Sequence, residues 1–174
     1  LYKDLILTNS GEGVLIGKNT TKGLVLRGYS SENFLKLKFI KKGNFVGNPS
    51  ELIENSISIG RTLSLDYNLN LGDKIALMST SGIQTVVGTF PKQENYLITS
   101  IFDSGLAEFD RNIAFLNIKN LENLFDLDSS KRSLEIYLKN PLNIDSTKTK
   151  IQNIFNEEFV YSWADMNSSL FSAL

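Results

Sequence analysis

The clearest candidates for chemistry in this chain are three acidic residues, Asp103, Glu108 and Asp110, that lie close together in the sequence. Clustered carboxylates can hold a divalent cation, and a pair of them can serve as general acid and general base. Arg111 follows directly, and the sequence favours a solvated turn with Arg111 as the counter-charge over either kind of site. Histidine and cysteine are absent, which removes the commonest general base, Ser-His triads, thiolate chemistry and most zinc sites. We therefore predict a non-catalytic chain with no metal site and no cofactor.

A second pattern, formed by Gly11, Gly13 and Gly17, superficially resembles a phosphate-binding loop. No Gly-Lys-Ser/Thr sequence follows it and no predicted helix begins there, so tight β-turns explain these glycines better. The only local basic cluster contains Lys36, Lys38, Lys41 and Lys42. Because this cluster is short, and because 18 Lys and Arg residues balance 19 Asp and Glu residues, we do not expect nucleic-acid binding.

Size and hydropathy are those of a small domain. With 174 residues, of which 41% are hydrophobic, the chain can bury a core for one domain or for two small intergrown ones. No apolar run approaches the ~18–20 residues of a membrane span, and no signal-peptide pattern occurs. The chain begins at Leu1 rather than Met and ends at Leu174 within a predicted helix, and we expect it to be a segment of a longer protein.

The candidate binding element is the region between two predicted strands, 73–78 and 96–102. Hairpin loops usually contain about two to five residues, whereas the predicted loop here spans 79–93. Residues that favour changes of chain direction within it are Gly82, Gly88 and Pro91. Apolar side chains where a surface loop is normally polar are those of Ile83, Val86, Val87 and Phe90. Exposed apolar side chains on a protruding hairpin predict a surface that binds another protein.

The elements around this hairpin are predicted from alternation, helical spacing and turn residues. Predicted strands are 5–7, 14–17, 23–27, 56–59 and 113–116, the last with both faces covered. Predicted turns are 9–11, 18–20 and 71–73. Predicted helices are 32–39, 60–68 and 117–127; the apolar face of the last contains Ile118, Leu121, Leu124 and Phe125.

The C-terminal third predicts a strand followed by a helix. Strand 133–139 ends before Pro141, and its inward side chains are those of Leu134, Ile136 and Leu138. Asp145 is predicted to cap a helix whose apolar side contains Ile151, Ile154 and Phe155. A further strand is predicted at 159–161, and Ser162 with Asp165 resembles a capping box that opens a final helix. The apolar stripe of that helix contains Trp163, Met166, Leu170 and Leu174.

The run GRTLSLDYNLNLGDKIALMS at 60–79 resembles the stretch G-x-x-L-A-x-x-L-G-L-x-x-G-D-x-V-x-L of the LolC/LolE family, the membrane subunits of the lipoprotein-releasing ABC transporter. Residues 85–92 keep the threonine, the glycine and the second proline of the family's next motif, T-P-x-G-x-x-P-R. Residues 102–110 are similar to its F-x-x-G-x-x-E-Y-D motif, and residues 162–174 to its ending W-x-D-x-N-x-x-L-F-x-A-L. The resemblance covers nearly the whole chain from about Gly11 onward.

The resemblance implies an α+β fold of the MacB-like periplasmic type. In that fold a membrane-proximal Porter-like subdomain, here 1–30 and 131–174, is intergrown with a distal, β-rich Sabre-like subdomain. The Sabre-like part would be 31–130 and would include the long protruding β-hairpin with its loop 79–93. The implied location is the periplasmic face of the inner membrane of a Gram-negative bacterium, between the first two transmembrane helices of a multi-pass protein.

The resemblance also implies partners. Family members extract outer-membrane lipoproteins from the inner membrane and pass them to the periplasmic carrier LolA, while a separate cytoplasmic subunit, LolD, hydrolyses ATP. In LolC-type members the hairpin loop is a hook that recruits the carrier. The expected partners are therefore a LolA-like carrier, a second LolC/LolE-type subunit, a LolD-like ATPase reached through the membrane part, and the lipoprotein substrate. The partner-binding residues implied are Thr85, Val86, Val87, Gly88, Phe90, Pro91, Lys92 and Gln93.

Some positions depart from the family pattern. Val86 stands where the family often has proline and Lys92 where it often has arginine, so a rigid kink and a planar bidentate donor are missing. Ala76 and Glu94 stand near positions that carry basic residues in LolC-type proteins. These differences leave open a LolE-type role facing the lipoprotein, or a merged subunit that does both jobs in a homodimer. A further alternative is the extracytoplasmic domain of a MacB-type efflux or FtsX-like protein, which binds an adaptor or a hydrolase activator.

Overall fold

The computed structural model of this chain describes residues 2–17, 21–86, 88–140, 144–162 and 165, which form both strands and helices. The strands are β1 (Tyr2–Ile16), β2 (Thr21–Tyr29), β3 (Phe45–Gly47), β4 (Ser56–Gly60), β5 (Lys74–Thr85), β6 (Gly88–Phe102), β7 (Ile113–Asn117) and β8 (Ser133–Leu138). The helices are α1 (Ser31–Phe34), α2 (Lys38–Lys41), α3 (Arg61–Tyr67), α4 (Ala107–Asn112), α5 (Ile118–Phe125) and α6 (Ile144–Ile154). The predicted mixture of helices with an extensive sheet is confirmed. None of these described helices has both the length and the apolar character needed to cross a bilayer.

The chain packs as two compact units. The larger is Ile6–Glu135, and the smaller combines Leu1–Leu5 with Ile136–Leu174. Within the smaller unit, the described residues include the beginning of β1, the end of β8 and all of α6. The division into Porter-like and Sabre-like subdomains, at 1–30 with 131–174 and at 31–130, stays a prediction.

Six strands of the larger unit form a closed ring in the order β1, β2, β7, β4, β6, β5 and back to β1. Strand β1 closes it, because Gly13–Ile16 pair on one side with β2 and on the other with β5. The pairs β2–β7 and β4–β6 are parallel, and the other pairs of the ring are antiparallel. Each strand of the ring therefore has two neighbours for at least part of its length, which leaves few open backbone edges.

Strand β7 lies at the centre of the packing because its two faces contribute to two different apolar clusters. Ala114 and Leu116 pack in a cluster with buried side chains of the other ring strands and of α5. Phe115, on the opposite face, lies in an aromatic cluster, where its ring centroid is 5.0 Å from that of Phe102 and 5.2 Å from that of Phe34. The prediction that both faces of 113–116 are covered is thus confirmed.

Several other predicted elements are confirmed. The strand 56–59 is β4. The helix 60–68 is α3, which ends at Asn68 in the left-handed conformation (φ 50°). The helix 117–127 is α5, and the side chain of Asn117 caps it by accepting the N–H of Lys119.

The N-terminal predictions need correction. No turn occurs at 9–11; the predicted strands 5–7 and 14–17 are parts of the single strand β1, and the turn predicted at 18–20 lies outside the described residues. Gly11 and Gly13 are paired strand residues rather than β-turn residues. Glycine is needed at position 11 because a Cβ there would stand only 2.8 Å from the ring of Phe125. The predicted helix 32–39 is two short helices, since Leu37 has an extended backbone (φ −61°, ψ 139°).

The C-terminal predictions are confirmed only in part. Leu134 is exposed rather than inward, and Ile154 and Phe155 are also exposed. Asp145 lies in the first turn of α6 instead of capping it, and no strand forms at 159–161. The reciprocal contact of the capping box is present: the N–H of Asp165 donates to the Ser162 hydroxyl (3.2 Å), and the Ser162 N–H donates to the Asp165 carboxylate (2.7 Å). Outside the described residues lie Pro141, Trp163, Met166, Leu170 and Leu174.

A substitution at Gly60 tests the close packing of α3 against α4. A Cβ at this position would stand 2.1 Å from the backbone oxygen of Asp110, so Gly60→Ala must push two backbone segments apart. We expect it to lower the free energy of unfolding in urea by about 1–3 kcal/mol or more. The matched control is Gly23→Ala, because no atom lies within 4 Å of the added Cβ there. Equal stability of the two variants would contradict this packing.

Candidate partner-binding hairpin

The prediction that residues 79–93 form a loop is wrong, because β5 and β6 remain paired through most of this region. Strands β5 and β6 pair as far as Thr85 opposite Gly88, through the pairs Gly82–Pro91, Ile83–Phe90 and Gln84–Thr89. Gly88 has φ +129°, a conformation that favours glycine. The predicted long hairpin is present, but it is an extended two-stranded ribbon with a short connection.

The outer part of this hairpin pairs only with itself. Strand β1 pairs with β5 no further than Ser79, and β4 pairs with β6 only from Leu97 onward. We call residues 82–86 and 88–91 the arm; within the described residues, its strand pairing is confined to β5 and β6. A strand edge without a neighbour can accept proline, which has no N–H to donate, and this explains Pro91 inside a strand.

The arm carries exposed apolar side chains. Val86 is fully exposed and Phe90 is 55% exposed. Gly88, Pro91 and Gln93, which belong to the predicted binding set, are exposed as well. Val87 and the side chain of Thr85 lie outside the described part of the molecule. The structure thus places the described members of the predicted set on one hairpin, where they are available to a partner, with Lys92 as the exception.

A β-bulge forms the base of the arm. Between the pairs Met78–Gln93 and Gly82–Pro91, three residues of β5, numbered 79–81, lie opposite the single residue Lys92 of β6. The hydroxyl of Ser79 accepts the backbone N–H of Lys92 at 3.2 Å, and the Thr80 hydroxyl donates to the Glu12 carbonyl at 2.7 Å. The bulge is therefore tied both to β6 and to β1.

Lys92 contacts the body of the domain. Its ammonium group donates to the backbone oxygen of Asn123 at 2.9 Å and to the side-chain oxygen of Asn123 at 2.7 Å. Asn123 lies in the last turn of α5, where carbonyl oxygens favour a cation. Glu94 lies 3.7 Å from the same ammonium. Sequence reasoning missed this contact, and no local pattern indicates it, because Asn123 is 31 residues away.

The acidic set of the sequence does not form a single site. Asp103 pairs with Arg61 at 3.0 Å rather than with Arg111. Arg111 pairs with Glu108, as predicted, and also with Asp66 at 2.8 Å. Asp103, Glu108 and Asp66 therefore each have an arginine partner. Across the described ranges, no group of three or more side chains is arranged to hold a metal ion.

Asp110 is the buried member of this set. Its carboxylate accepts the hydroxyl of Ser104 at 2.5 Å and the backbone N–H of Ser104 at 3.1 Å. Burial nevertheless raises its pKa, since removal from water disfavours the charged form more than these two bonds favour it. The half-buried Asp103 behaves oppositely: hydrogen bonds from Arg61 and from the N–H of Gly105 lower its pKa.

No family model matches this chain. It is 24% identical over 171 residues to the lipoprotein-releasing system transmembrane protein LolC of Neisseria meningitidis serogroup B, covering 95% of this chain and 41% of that protein. It is 23% identical over 122 residues to the LolC of Xylella fastidiosa strain Temecula1, covering 70% of this chain and 29% of that protein. The sequence is LolC-like. The resemblance to the LolC/LolE family is thus confirmed, although the chain spans less than half the length of these LolC proteins.

The fold has a counterpart among solved structures. The extracellular domain of the noncanonic ABC-type transporter YknZ from Gram-positive bacteria superposes with a TM-score of 0.54 at 10% identity, covering 90% of this chain and 75% of that one. At this identity the likeness concerns the fold alone. The LolC-like chain therefore shares its architecture with the extracellular domain of an ABC-type transporter.

The pKa of Asp110 is raised and that of Asp103 is lowered, and the pH dependence of stability tests this difference. Asp110 has a folded-state pKa above its ordinary value of 3.8, so its ionisation costs stability as the pH rises above that value. Asp110→Asn should therefore gain stability relative to the unsubstituted chain as the pH rises, in urea unfolding measured between about pH 4 and pH 7. Asp103→Asn is the control: the stabilising charge of Asp103 is lost mainly as the pH falls below 3.8, so the stability difference between this variant and the unsubstituted chain should change little between about pH 4 and pH 7. Parallel pH profiles for the two variants would contradict the assignment.

Proposed function

We propose that this chain is the periplasmic domain of an inner-membrane ABC transporter subunit that releases outer-membrane lipoproteins. Its arm binds a LolA-like periplasmic carrier, to which the lipoprotein is handed. The domain itself is non-catalytic, and a LolD-like cytoplasmic ATPase acts on it through the membrane part of the subunit. A second LolC/LolE-type subunit completes the transporter. The LolC relatives support this proposal by their name, which is that of a lipoprotein-releasing system.

The observation that carries the proposal is the exposure of Phe90 and Val86 on an arm that pairs only with itself. A carrier of lipoproteins must present an apolar cavity to acyl chains, and the same surface suits apolar side chains of a partner. Burial of each such side chain contributes about 1.5–3 kcal/mol. Two anchors of this size contribute about 3–6 kcal/mol, which corresponds to a factor of roughly 10²–10⁴ in affinity.

The proposed contacts are the arm residues of the predicted set together with Gln93. Phe90 and Val86 supply the apolar area, and Pro91 and Gly88 shape the backbone between and beside them. The predicted contacts at Thr85 and Val87 belong to the same proposal. Lys92 differs from the others because its ammonium is already bound to Asn123.

A carrier titration tests this function. The isolated chain is titrated with the LolA-like carrier from the same organism, beside a Phe90→Asp, Val86→Asp variant. Charges at both anchors should weaken binding by about 100-fold, since each lost burial is worth roughly one factor of ten in affinity. The variant should keep its unfolding midpoint, because neither side chain belongs to a buried cluster.

The matched control is the double variant Leu65→Asp, Leu106→Asp. These two leucines are 71% and 66% exposed and lie outside the arm, so they test whether any exposed apolar residue matters. The control should bind like the unsubstituted chain. Unchanged binding by the arm variant, or equal losses in both variants, would remove the arm from the interface. Absence of carrier binding together with binding to an efflux adaptor or a hydrolase activator would favour the MacB-type or FtsX-like alternative.

A further inference from the structure

We propose that Lys92 is a positioning residue, which fixes the direction of the arm by tying the bulge at its base to the last turn of α5. The effect of Lys92 on the direction of the arm is a property of this chain and requires no partner. Its consequence for carrier affinity rests on the proposed function.

The bulge is the point at which the arm is free to change direction. Three residues opposite one interrupt the regular ladder between β5 and β6, and beyond this point the strand pairing of the described residues is confined to these two strands. A two-stranded ribbon on its own is marginally stable and bends readily. The direction of the arm therefore depends on whatever holds the bulge to the rest of the domain.

Lys92 lies opposite that bulge and contacts both the bulge and α5. Its backbone N–H donates to the Ser79 hydroxyl on β5, while its ammonium donates to two oxygens of Asn123. The helix that provides these oxygens is firmly seated, since Leu121 and Leu124 are buried in the first apolar cluster. The lysine thus connects a point of weak pairing to a rigid support.

The side chain of Lys92 is engaged on the domain side rather than free at the surface. It is about a quarter exposed, and the Glu94 carboxylate lies 3.7 Å from the ammonium and adds a negative charge beside the two neutral oxygens of Asn123. Phe90, the apolar anchor, stands two residues further along the same strand and hence on the same face. A fixed direction at Lys92 is therefore transmitted to Phe90 through the single intervening strand residue, Pro91. Holding the anchor in place before binding reduces the ordering cost of the complex.

The absence of cysteine allows the arm direction to be measured directly. Spin labels are attached at Val86→Cys on the arm and at Leu65→Cys on α3, both of which are exposed. Double electron–electron resonance should give one narrow distance distribution for the chain with Lys92. The distribution should broaden in Lys92→Met, which keeps the aliphatic stem but loses the ammonium, and should narrow again in Lys92→Arg. Lys74→Met, at the exposed start of β5, is the control that should leave the width unchanged.

Two results would overturn the proposal: an equally narrow distribution in Lys92→Met, or an already broad one in the chain with Lys92. Asn123→Ala provides a second variant, because it removes one of the two acceptors and leaves Lys92 in place. It should also broaden the distance distribution, but by less than Lys92→Met does. If Lys92→Met does not fold, an unchanged distribution in Asn123→Ala would overturn the proposal.

Carrier titration separates positioning from direct contact. Lys92→Met should bind the carrier about tenfold more weakly, and Lys92→Arg should restore the affinity. Weaker binding without a broader distance distribution would show that Lys92 acts as a contact residue and would overturn the positioning role. If the chain with Lys92 does not bind the carrier at all, the proposed function fails, while the distance measurement still decides what Lys92 does.

Discussion

The double pairing of β1 is the constraint on which the other features of the larger unit depend. Gly13–Ile16 pair with β2 on one side and with β5 on the other, and this closes the strands into a ring. Closure fixes every register at once, because a slip of one residue would turn a buried face outward. The ring also sets where the arm begins, since pairing between β1 and β5 ends at Ser79, the first residue of the bulge.

Local patterns in the sequence were sufficient for elements whose boundaries are set by their own residues. Helix α3 begins after Gly60 and ends at a left-handed asparagine, and Asn117 caps α5. The covered faces of β7 also follow from its uninterrupted apolar run. The turn predicted at 9–11 was wrong because Asn-Ser-Gly is a turn signal locally, whereas here the glycine makes room for the ring of Phe125 from a helix more than one hundred residues away.

The candidate site also combines features that local sequence predicts with features that depend on tertiary contacts. The sequence located the apolar residues of the hairpin, because they are out of place in a polar loop. It did not reveal that Gly82 and Pro91 are paired strand residues, since both normally interrupt a strand and proline is accepted mainly where the strand edge has no neighbour. The contact between Lys92 and Asn123, like that between Asp103 and Arg61, joins distant parts of the chain. Such pairs depend on tertiary packing, which no local spacing encodes.

Because the described strand pairing of the arm is confined to β5 and β6, selection for a stable fold and selection for a binding partner can act on different residues. Val86 and Phe90, the two exposed apolar side chains described on the arm, belong to neither buried apolar cluster, so these anchors are separate from the side chains of the core. Substitutions of these two anchors can therefore accumulate under selection for a partner while the folded state stays intact. Divergence of hairpin sequences among chains of this architecture is then compatible with a common fold, and a change of partner requires few substitutions, all of them outside the core.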